Sequence, residues 1–201
     1  MLWEKNVIVR RNYMIEREIR YKINDEVRNN IINTSELLEE STSCIDLCMG
    51  KYGFDSLDKL GYIIRIRNKN GKINMESKRK IENNKWSEVS IPLQDIKNGF
   101  DFLKNLGLLP YLYINRTREI RKIKQAKICL DSIDLLGDYV EFELEEGFEF
   151  EDLKEYIEEN KIQENPAPLY GDIFKACMSS LEFKEKFDNR LKEVLKNQSD
   201  K

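Results

Sequence analysis

Charged residues recur two apart along this chain, inside segments otherwise rich in Ile, Val, Tyr and Phe. The segment Tyr13-Met14-Ile15-Glu16-Arg17-Glu18-Ile19-Arg20-Tyr21-Lys22-Ile23 sets Glu16, Glu18, Arg20 and Lys22 in one row. The same spacing returns in Arg65-Ile66-Arg67, Glu76-Ser77-Lys78-Arg79-Lys80, Arg116-Thr117-Arg118 and Glu141-Phe142-Glu143. Side chains of an extended strand alternate between its faces, so each segment describes a strand with one charged and one apolar face. A single such strand could be a solvated edge. Repeated, the pattern needs a fold in which the apolar faces meet helices and the charged faces meet each other or water.

Turn and capping signals separate these strands. Residues 13 to 23 read as the first, and Asn24-Asp25 can cap a helix running to about 40, with Asn33-Thr34-Ser35 as a candidate break. A strand at about 43 to 49 and a loop at Gly50-Lys51-Tyr52-Gly53 follow. From Tyr62 to Lys69 the residues Tyr62, Ile64 and Ile66 alternate with Ile63, Arg65 and Arg67, and Asn70-Gly71 then signals a hairpin into a strand at about 72 to 82. The next strand runs from Trp86 to Ile91 and ends at Pro92. Ile96, Phe100, Leu103 and Leu106 keep helical spacing until Gly107. Strands are expected again at Tyr111 to Arg118, Ala126 to Ile133 and Tyr139 to Glu145. Helices follow at about 150 to 160 and, after Pro166-Ala167-Pro168, at about 169 to 178 and 180 to 196.

Eight strands compatible with antiparallel pairing, each with one polar face, are best satisfied by closure, which removes the sheet edges. The predicted architecture is α+β: a closed eight-stranded antiparallel β-barrel, a tunnel with a charged lumen, with helices packed outside. A chain of 201 residues suits a single domain, with the barrel over about 13–145 and the C-terminal helices over about 150–196. Parity assigns Glu16, Glu18, Arg20, Lys22, Arg65, Arg67, Glu76, Lys78, Lys80, Glu88, Arg116, Arg118, Asp131, Glu141 and Glu143 to the lumen. Arg17, Arg79 and Arg121 fall on the other parity, and Tyr21, Phe142 and Leu144 belong to the packing between wall and helices.

Charged residues make up 35% of the chain at a formal net charge of -3, which argues against general nucleic-acid binding, since that requires a net basic surface. Cys44, Cys48, Cys129 and Cys177 form no CxxC pair, so a structural zinc site is not expected and the thiols read as reduced, small apolar residues. Met1-Leu2-Trp3-Glu4-Lys5-Asn6 lacks an apolar leader core, and no later stretch has the length of a membrane span, so the expected location is cytoplasmic. With no histidine in the chain, metal ligation falls to carboxylates, which favour Mg²⁺ or Mn²⁺, and proton transfer falls to Lys, Tyr, Asp or Glu.

Burying this many charges costs several kcal/mol per ion unless they pair or meet ligands. A purely structural lattice of ion pairs is one reading. The other is a lumen whose basic residues hold phosphate oxygens while its glutamates hold divalent cations, because arginine suits forked contacts to phosphate and a metal neutralises charge developing in phosphoryl transfer.

The residues carry a resemblance to a known family. The Glu-x-Glu-x-basic strand Glu16-Arg17-Glu18-Ile19-Arg20, the Arg65-x-Arg67 strand, Lys78, and the Arg116-x-Arg118 pair come in the order seen in CYTH-domain proteins, the triphosphate tunnel metalloenzymes. Leu130-Asp131-Ser132-Ile133, then Leu136-Gly137-Asp138-Tyr139-Val140-Glu141-Phe142-Glu143, and the late Leu169-Tyr170-Gly171-Asp172-Ile173 are similar to the family's closing segments, so the resemblance covers about 14–175. Arg20 stands where the family usually carries lysine. The resemblance implies that Glu16, Glu18, Asp131, Glu141 and Glu143 are metal residues, with Glu88 a candidate for a second metal. Arg20, Lys22, Arg65, Arg67, Lys78, Lys80, Arg116 and Arg118 would grip phosphate, with Lys78 and Arg20 as catalytic residues, Lys78 helping to activate water.

The resemblance also implies a triphosphate-containing small molecule as partner and Mg²⁺ or Mn²⁺ as cofactor. Three functions compete: metal-dependent hydrolysis of inorganic triphosphate, a nucleoside triphosphate or thiamine triphosphate; class IV adenylyl cyclase chemistry, giving cyclic AMP and pyrophosphate; and non-catalytic binding of phosphorylated ligands or nucleotides.

Overall fold

Eight strands close into one barrel in the computed structural model, which describes residues 14–163 and 165–199. Tyr13, expected to open the first strand, and the stretch Met1 to Asn6 lie outside the described residues. The strands are β1 (Met14–Lys22), β2 (Glu36–Gly50), β3 (Tyr62–Lys69), β4 (Lys72–Glu82), β5 (Lys85–Leu93), β6 (Leu109–Lys122), β7 (Ala126–Ile133) and β8 (Gly137–Leu144). Their order around the barrel is β1-β5-β4-β3-β2-β6-β7-β8, every neighbouring pair antiparallel. Register sets opposite charges directly across from each other: Arg20 faces Glu141, Arg65 faces Glu76, Arg67 faces Asp46, Lys78 faces Glu88 and Arg118 faces Asp131.

The apolar faces point outward, most of them under helices, with Ile15, Ile81, Val89 and Ile91 of β1, β4 and β5 left exposed. Helix α1 (Asp25–Thr34) and helix α4 (Lys154–Glu159) cover β1, β7 and β8, where Tyr21, Val27, Ile31, Ile128, Val140, Phe142 and Leu153 form one buried cluster. Helix α3 (Ile96–Asn105), capped by Asp95, buries Leu103 against Leu47, Met49 and Ile66 on β2 and β3. Helices α5 (Tyr170–Cys177) and α6 (Leu181–Ser199) set Phe174 and Phe187 against Tyr113 and Tyr139 of β6 and β8. No helix of the described residues is long and apolar enough to cross a membrane.

Four local departures from the expected elements have physical causes. The first helix stops at Thr34, because the hydroxyls of Thr34 and Ser35 take the carbonyls of Asn30 and Ile31 and Arg121 clamps the helix end through Ile32 O and Ser35 O. The chain then enters β2 seven residues before the expected strand start at 43, pairing Glu36 with Lys122. Pro92 lies inside β5 rather than ending it: among the described residues β1 pairs with β5 only from Glu88 back to Lys85, so none of them needs the N–H that Pro92 lacks on that side. Between β2 and β3 the expected loop is followed by a 3₁₀ turn (Gly53–Asp55) and helix α2 (Ser56–Leu60), docked so closely that a Cβ on Gly50 would fall 2.2 Å from Ser56 Oγ.

A further departure is a β-bulge. The pairs Cys48 with Leu112 and Met49 with Pro110 leave Tyr111 as the extra residue on β6, and its ring turns into the lumen despite its odd parity.

Candidate active site in the barrel lumen

The barrel encloses a cavity of about 120 Å³. A water needs roughly 10–15 Å³ of such space, so this one accommodates an extended polar chain rather than a single ion. Its wall has two halves. Six bases, Arg20, Arg65, Arg67, Lys78, Arg116 and Arg118, and seven carboxylates, Glu16, Glu18, Asp46, Glu88, Glu141, Glu143 and Asp172, form the charged half. Cys48, Phe54, Leu57, Ile63, Tyr111, Leu112, Ile114 and Leu169 form the apolar half, drawn from β2, the 3₁₀ turn, α2, β3, β6 and the residue before α5; Phe54 meets Tyr111 edge-to-face at 5.5 Å.

Each base is held by acids. Lys78 Nζ lies 2.9 Å from Glu16 and 2.8 Å from Glu18, and Arg20 bridges Glu18 and Glu141 at 2.8 Å each. Arg65 reaches Glu76 at 2.6 Å and Glu88 at 3.3 Å. Asp46, 1% exposed, receives two bonds from Arg67 at 2.7 and 2.9 Å and one from Arg116 at 2.9 Å. Arg118 forks onto Asp131 at 2.6 Å twice and reaches Glu141 at 3.1 Å. The pairing keeps these buried charges compensated, and an anionic ligand can enter by exchanging partners with them.

Proton affinities follow from the same contacts. Burial opposes ionisation of Asp46, yet Arg67, Arg116 and Arg65 together hold its carboxyl well below the usual carboxylate range. Burial likewise works against Glu141, but Arg20 and Arg118 hold it far below its ordinary value. Burial works against the charge on Lys78 as well, and Glu18 and Glu16 more than offset it, so the ammonium is stabilised and its pKa rises. Held in this way, the Lys78 ammonium can donate to a phosphate oxygen. Glu88 differs from its neighbours: burial pushes its carboxyl up, Arg65 only partly offsets this, and Glu16 adds repulsion.

The expected site residues separate by position along the barrel axis. Glu16, Glu18, Arg20, Arg65, Arg67, Lys78, Glu88, Arg116, Arg118, Glu141 and Glu143 converge on the cavity. Lys22 and Lys80 share the inward parity but are exposed and do not line the cavity; Lys22 lies over the Tyr139 ring at 6.0 Å. Asp131 is fully buried outside the cavity lining, its oxygens taken by Arg118 and by the Tyr170 hydroxyl at 3.0 Å, so here it serves to position those two side chains. Asp46, Trp86, Tyr111 and Phe54 were not singled out by the sequence reading. Asp46 could have been found, since it stands at the same parity between Cys44 and Cys48.

The donor set suits a hard divalent cation. Glu16 and Glu18 on β1 and Glu141 and Glu143 on β8 are carboxylates on adjacent strands, with Glu18 and Glu143 cross-strand partners, and Glu88 lacks full compensation beside Glu16. Among the described residues, Cys129 Sγ and oxygens of Glu141 and Glu143 lie within 4.8 Å of one another. Six bases against seven carboxylates also leave no surplus positive charge for a polyanion, which favours entry of a triphosphate together with cations.

Comparison with known proteins agrees with this geometry. A family description, the CYTH domain, matches residues 52–167. No curated protein matches the chain in sequence. Among solved structures, the PH1012 protein of Pyrococcus horikoshii OT3 superposes with a TM-score of 0.66 at 17% identity, over 78% of this chain and 98% of that one. A candidate adenylate cyclase of Vibrio parahaemolyticus gives a TM-score of 0.66 at 18% identity, over 81% of this chain and 99% of that one. A candidate adenylyl cyclase of Hippeastrum, described as having a dominant triphosphatase activity, gives 0.56 at 14% identity, over 78% of this chain and 92% of that one. At these identities the likeness concerns the fold.

Proposed function

The chain belongs to the CYTH-domain family, and we propose that it is a divalent-metal-dependent triphosphatase acting on a triphosphate threaded into the barrel lumen. The observation that carries the reading is the convergence of Arg65, Arg67, Arg116, Arg118, Arg20 and Lys78 on one enclosed cavity whose other charges are carboxylates. Neighbours in the fold described as adenylate cyclase or as having triphosphatase activity are consistent with it.

In this reading the four arginines of β3 and β6 hold non-bridging oxygens by forked, charge-assisted bonds. Lys78, which in the ligand-free lumen pairs with Glu16 and Glu18, would exchange them for the terminal phosphoryl group and stabilise the charge that grows there as water attacks and the bond to the leaving diphosphate lengthens. Arg20, stacked over the Tyr170 ring at 4.9 Å, is fixed between Glu18 and Glu141 and supports the same charge. Glu16, Glu18, Glu88, Glu141 and Glu143 would hold Mg²⁺ or Mn²⁺, which supplies charge neutralisation on the phosphate oxygens when bound. The closed wall excludes bulk water and strengthens each of these interactions.

One observation favours a substrate with an organic group. The half of the cavity lined by Phe54, Leu57, Ile63, Tyr111 and Leu112 offers a bare phosphate chain little to bond beyond the Tyr111 hydroxyl, whereas a planar or apolar group would cover it. The same chamber would serve the second reading, a class IV adenylyl cyclase. Purified protein incubated with ATP, inorganic triphosphate and thiamine triphosphate under Mg²⁺ or Mn²⁺ should release orthophosphate and leave the diphosphate. Cyclic AMP with pyrophosphate would replace the first reading by the second, and binding without turnover would leave only the ligand-binding function.

A further inference from the structure

Trp86 stands on β5 in the cavity wall, one inward position from Glu88 and directly across from Glu16 on β1 and Lys80 on β4. Its side chain is 2% exposed, and its indole N–H is a buried donor with no acceptor. An indole nitrogen can only donate, and a buried donor left unmatched costs stability. For packing alone the position needs an aromatic ring and not a nitrogen. The nearest acids are engaged elsewhere, Glu16 with Lys78 and Glu88 with Arg65. On the opposite side of the barrel Arg116 Nε is likewise buried without a hydrogen-bond partner, so two orphaned donors belong to residues lining one cavity.

The Trp86 ring also has a neighbour that fixes where such a ligand would sit. Lys78 Nζ lies 5.5 Å from the ring centroid while being held by Glu16 and Glu18. We propose that Trp86 is a substrate-binding residue: its indole N–H donates to a non-bridging oxygen of the phosphoryl group that Lys78 contacts, and its ring face keeps the Lys78 ammonium over that group. The inference rests on the reading of the lumen as a triphosphate site, and it extends the anion contacts from arginines and lysine to a neutral donor. A neutral donor adds affinity without disturbing the balance of charge between bases and glutamates.

The test uses the whole chain and the β,γ-imido analogue of ATP with Mg²⁺. Trp3 and Trp86 are the two tryptophans, so the indole region of a ¹⁵N-correlated spectrum assigns Trp86 by its survival in Trp3→Phe, whether or not Trp86→Phe folds. On saturation the Trp86 indole N–H signal should move downfield and its exchange with water should slow. Trp86→Phe should bind the analogue about tenfold more weakly, the factor expected for one net hydrogen bond to a charged group. Its melting temperature without ligand should stay close to wild type, because losing the orphaned donor offsets the smaller ring. An unmoved Trp86 signal in protein that calorimetry shows to be saturated overturns the inference, as does a Trp86→Phe affinity within twofold of wild type. A wild-type chain that binds neither the analogue nor inorganic triphosphate with Mg²⁺ overturns the triphosphate reading itself.

Discussion

Replacing Asp46 by Asn removes the negative charge on which three arginines converge, and keeps its shape. Asp46 is 1% exposed and accepts from Arg67 at 2.7 and 2.9 Å and from Arg116 at 2.9 Å, with Arg65 3.7 Å away. Breaking a buried ion pair by removing one partner costs about 3–5 kcal/mol. Two features favour the low end. Glu76 still neutralises Arg65 at 2.6 Å and Arg67 at 3.3 Å, and both arginines border the cavity, where water and anions reach them. A loss of about 3 kcal/mol lowers the melting temperature of a chain this size by roughly 6–12 °C. Scanning calorimetry at pH 7 in a phosphate-free buffer reads this directly, and added triphosphate with Mg²⁺ should raise the melting temperature of the variant more than that of wild type, because phosphate oxygens replace the missing carboxylate. The pH dependence has a fixed sign. Asp46 has a depressed pKa when folded and a value near 4 when unfolded, so its contribution is present above about pH 4 and lost as pH falls. Wild type and variant should therefore converge in acid. A variant within 2 °C of wild type at pH 7, or a gap that persists unchanged in acid, would refute the reasoning.

Glu16→Gln and Glu18→Gln keep volume but not charge, and should abolish metal-dependent turnover, with Glu18→Gln, which also leaves Arg20 and Lys78 short of a buried partner, lowering the melting temperature more than Glu16→Gln; metal-dependent activity equal to wild type in both would remove them from the ligand set. Lys78→Ala should weaken triphosphate binding by the 1.5–3 kcal/mol of a charge-assisted hydrogen bond, about 10- to 100-fold, while tightening Mn²⁺ binding, because Glu16 and Glu18 lose the cation they share; titration calorimetry of each ligand separately decides both. Phe54→Ala opens the apolar half and should lower kcat/KM for an organic triphosphate by about tenfold or more, with inorganic triphosphate little affected; equal losses on both substrates would show that the chamber holds no organic group.

The closed barrel could be read from the sequence because parity survives folding. Charges two apart must share a face, and the bounds of β3, β4 and β7 follow from alternation between clear turns such as Asn70-Gly71. Parity says which face a residue occupies but not how far along the barrel axis it sits. This is why Lys22 and Lys80, on the correct face, lie beyond the cavity, and why Asp131 serves Arg118 and Tyr170 behind it. Tyr111 could not be placed by alternation, since a bulge reverses parity locally. Phe54 and Leu57 belong to a 3₁₀ turn and a five-residue helix too short to show a period. The early end of α1 depended on Arg121, 86 residues from Ser35, a contact that local pattern does not encode. Asp46 was legible in principle, its partners being the arginines of two other strands already assigned to the lumen.

Diffraction from crystals grown with Mn²⁺ and the β,γ-imido analogue of ATP, collected at the manganese edge, locates metal and phosphate chain together. The account predicts an anomalous peak inside the barrel, coordinated by carboxylates from among Glu16, Glu18, Glu88, Glu141 and Glu143, with the triphosphate lying along Arg65, Arg67, Arg116 and Arg118 and its terminal phosphoryl group at Lys78. Manganese and analogue bound outside the barrel, with the ion pairs of the lumen intact, would contradict it.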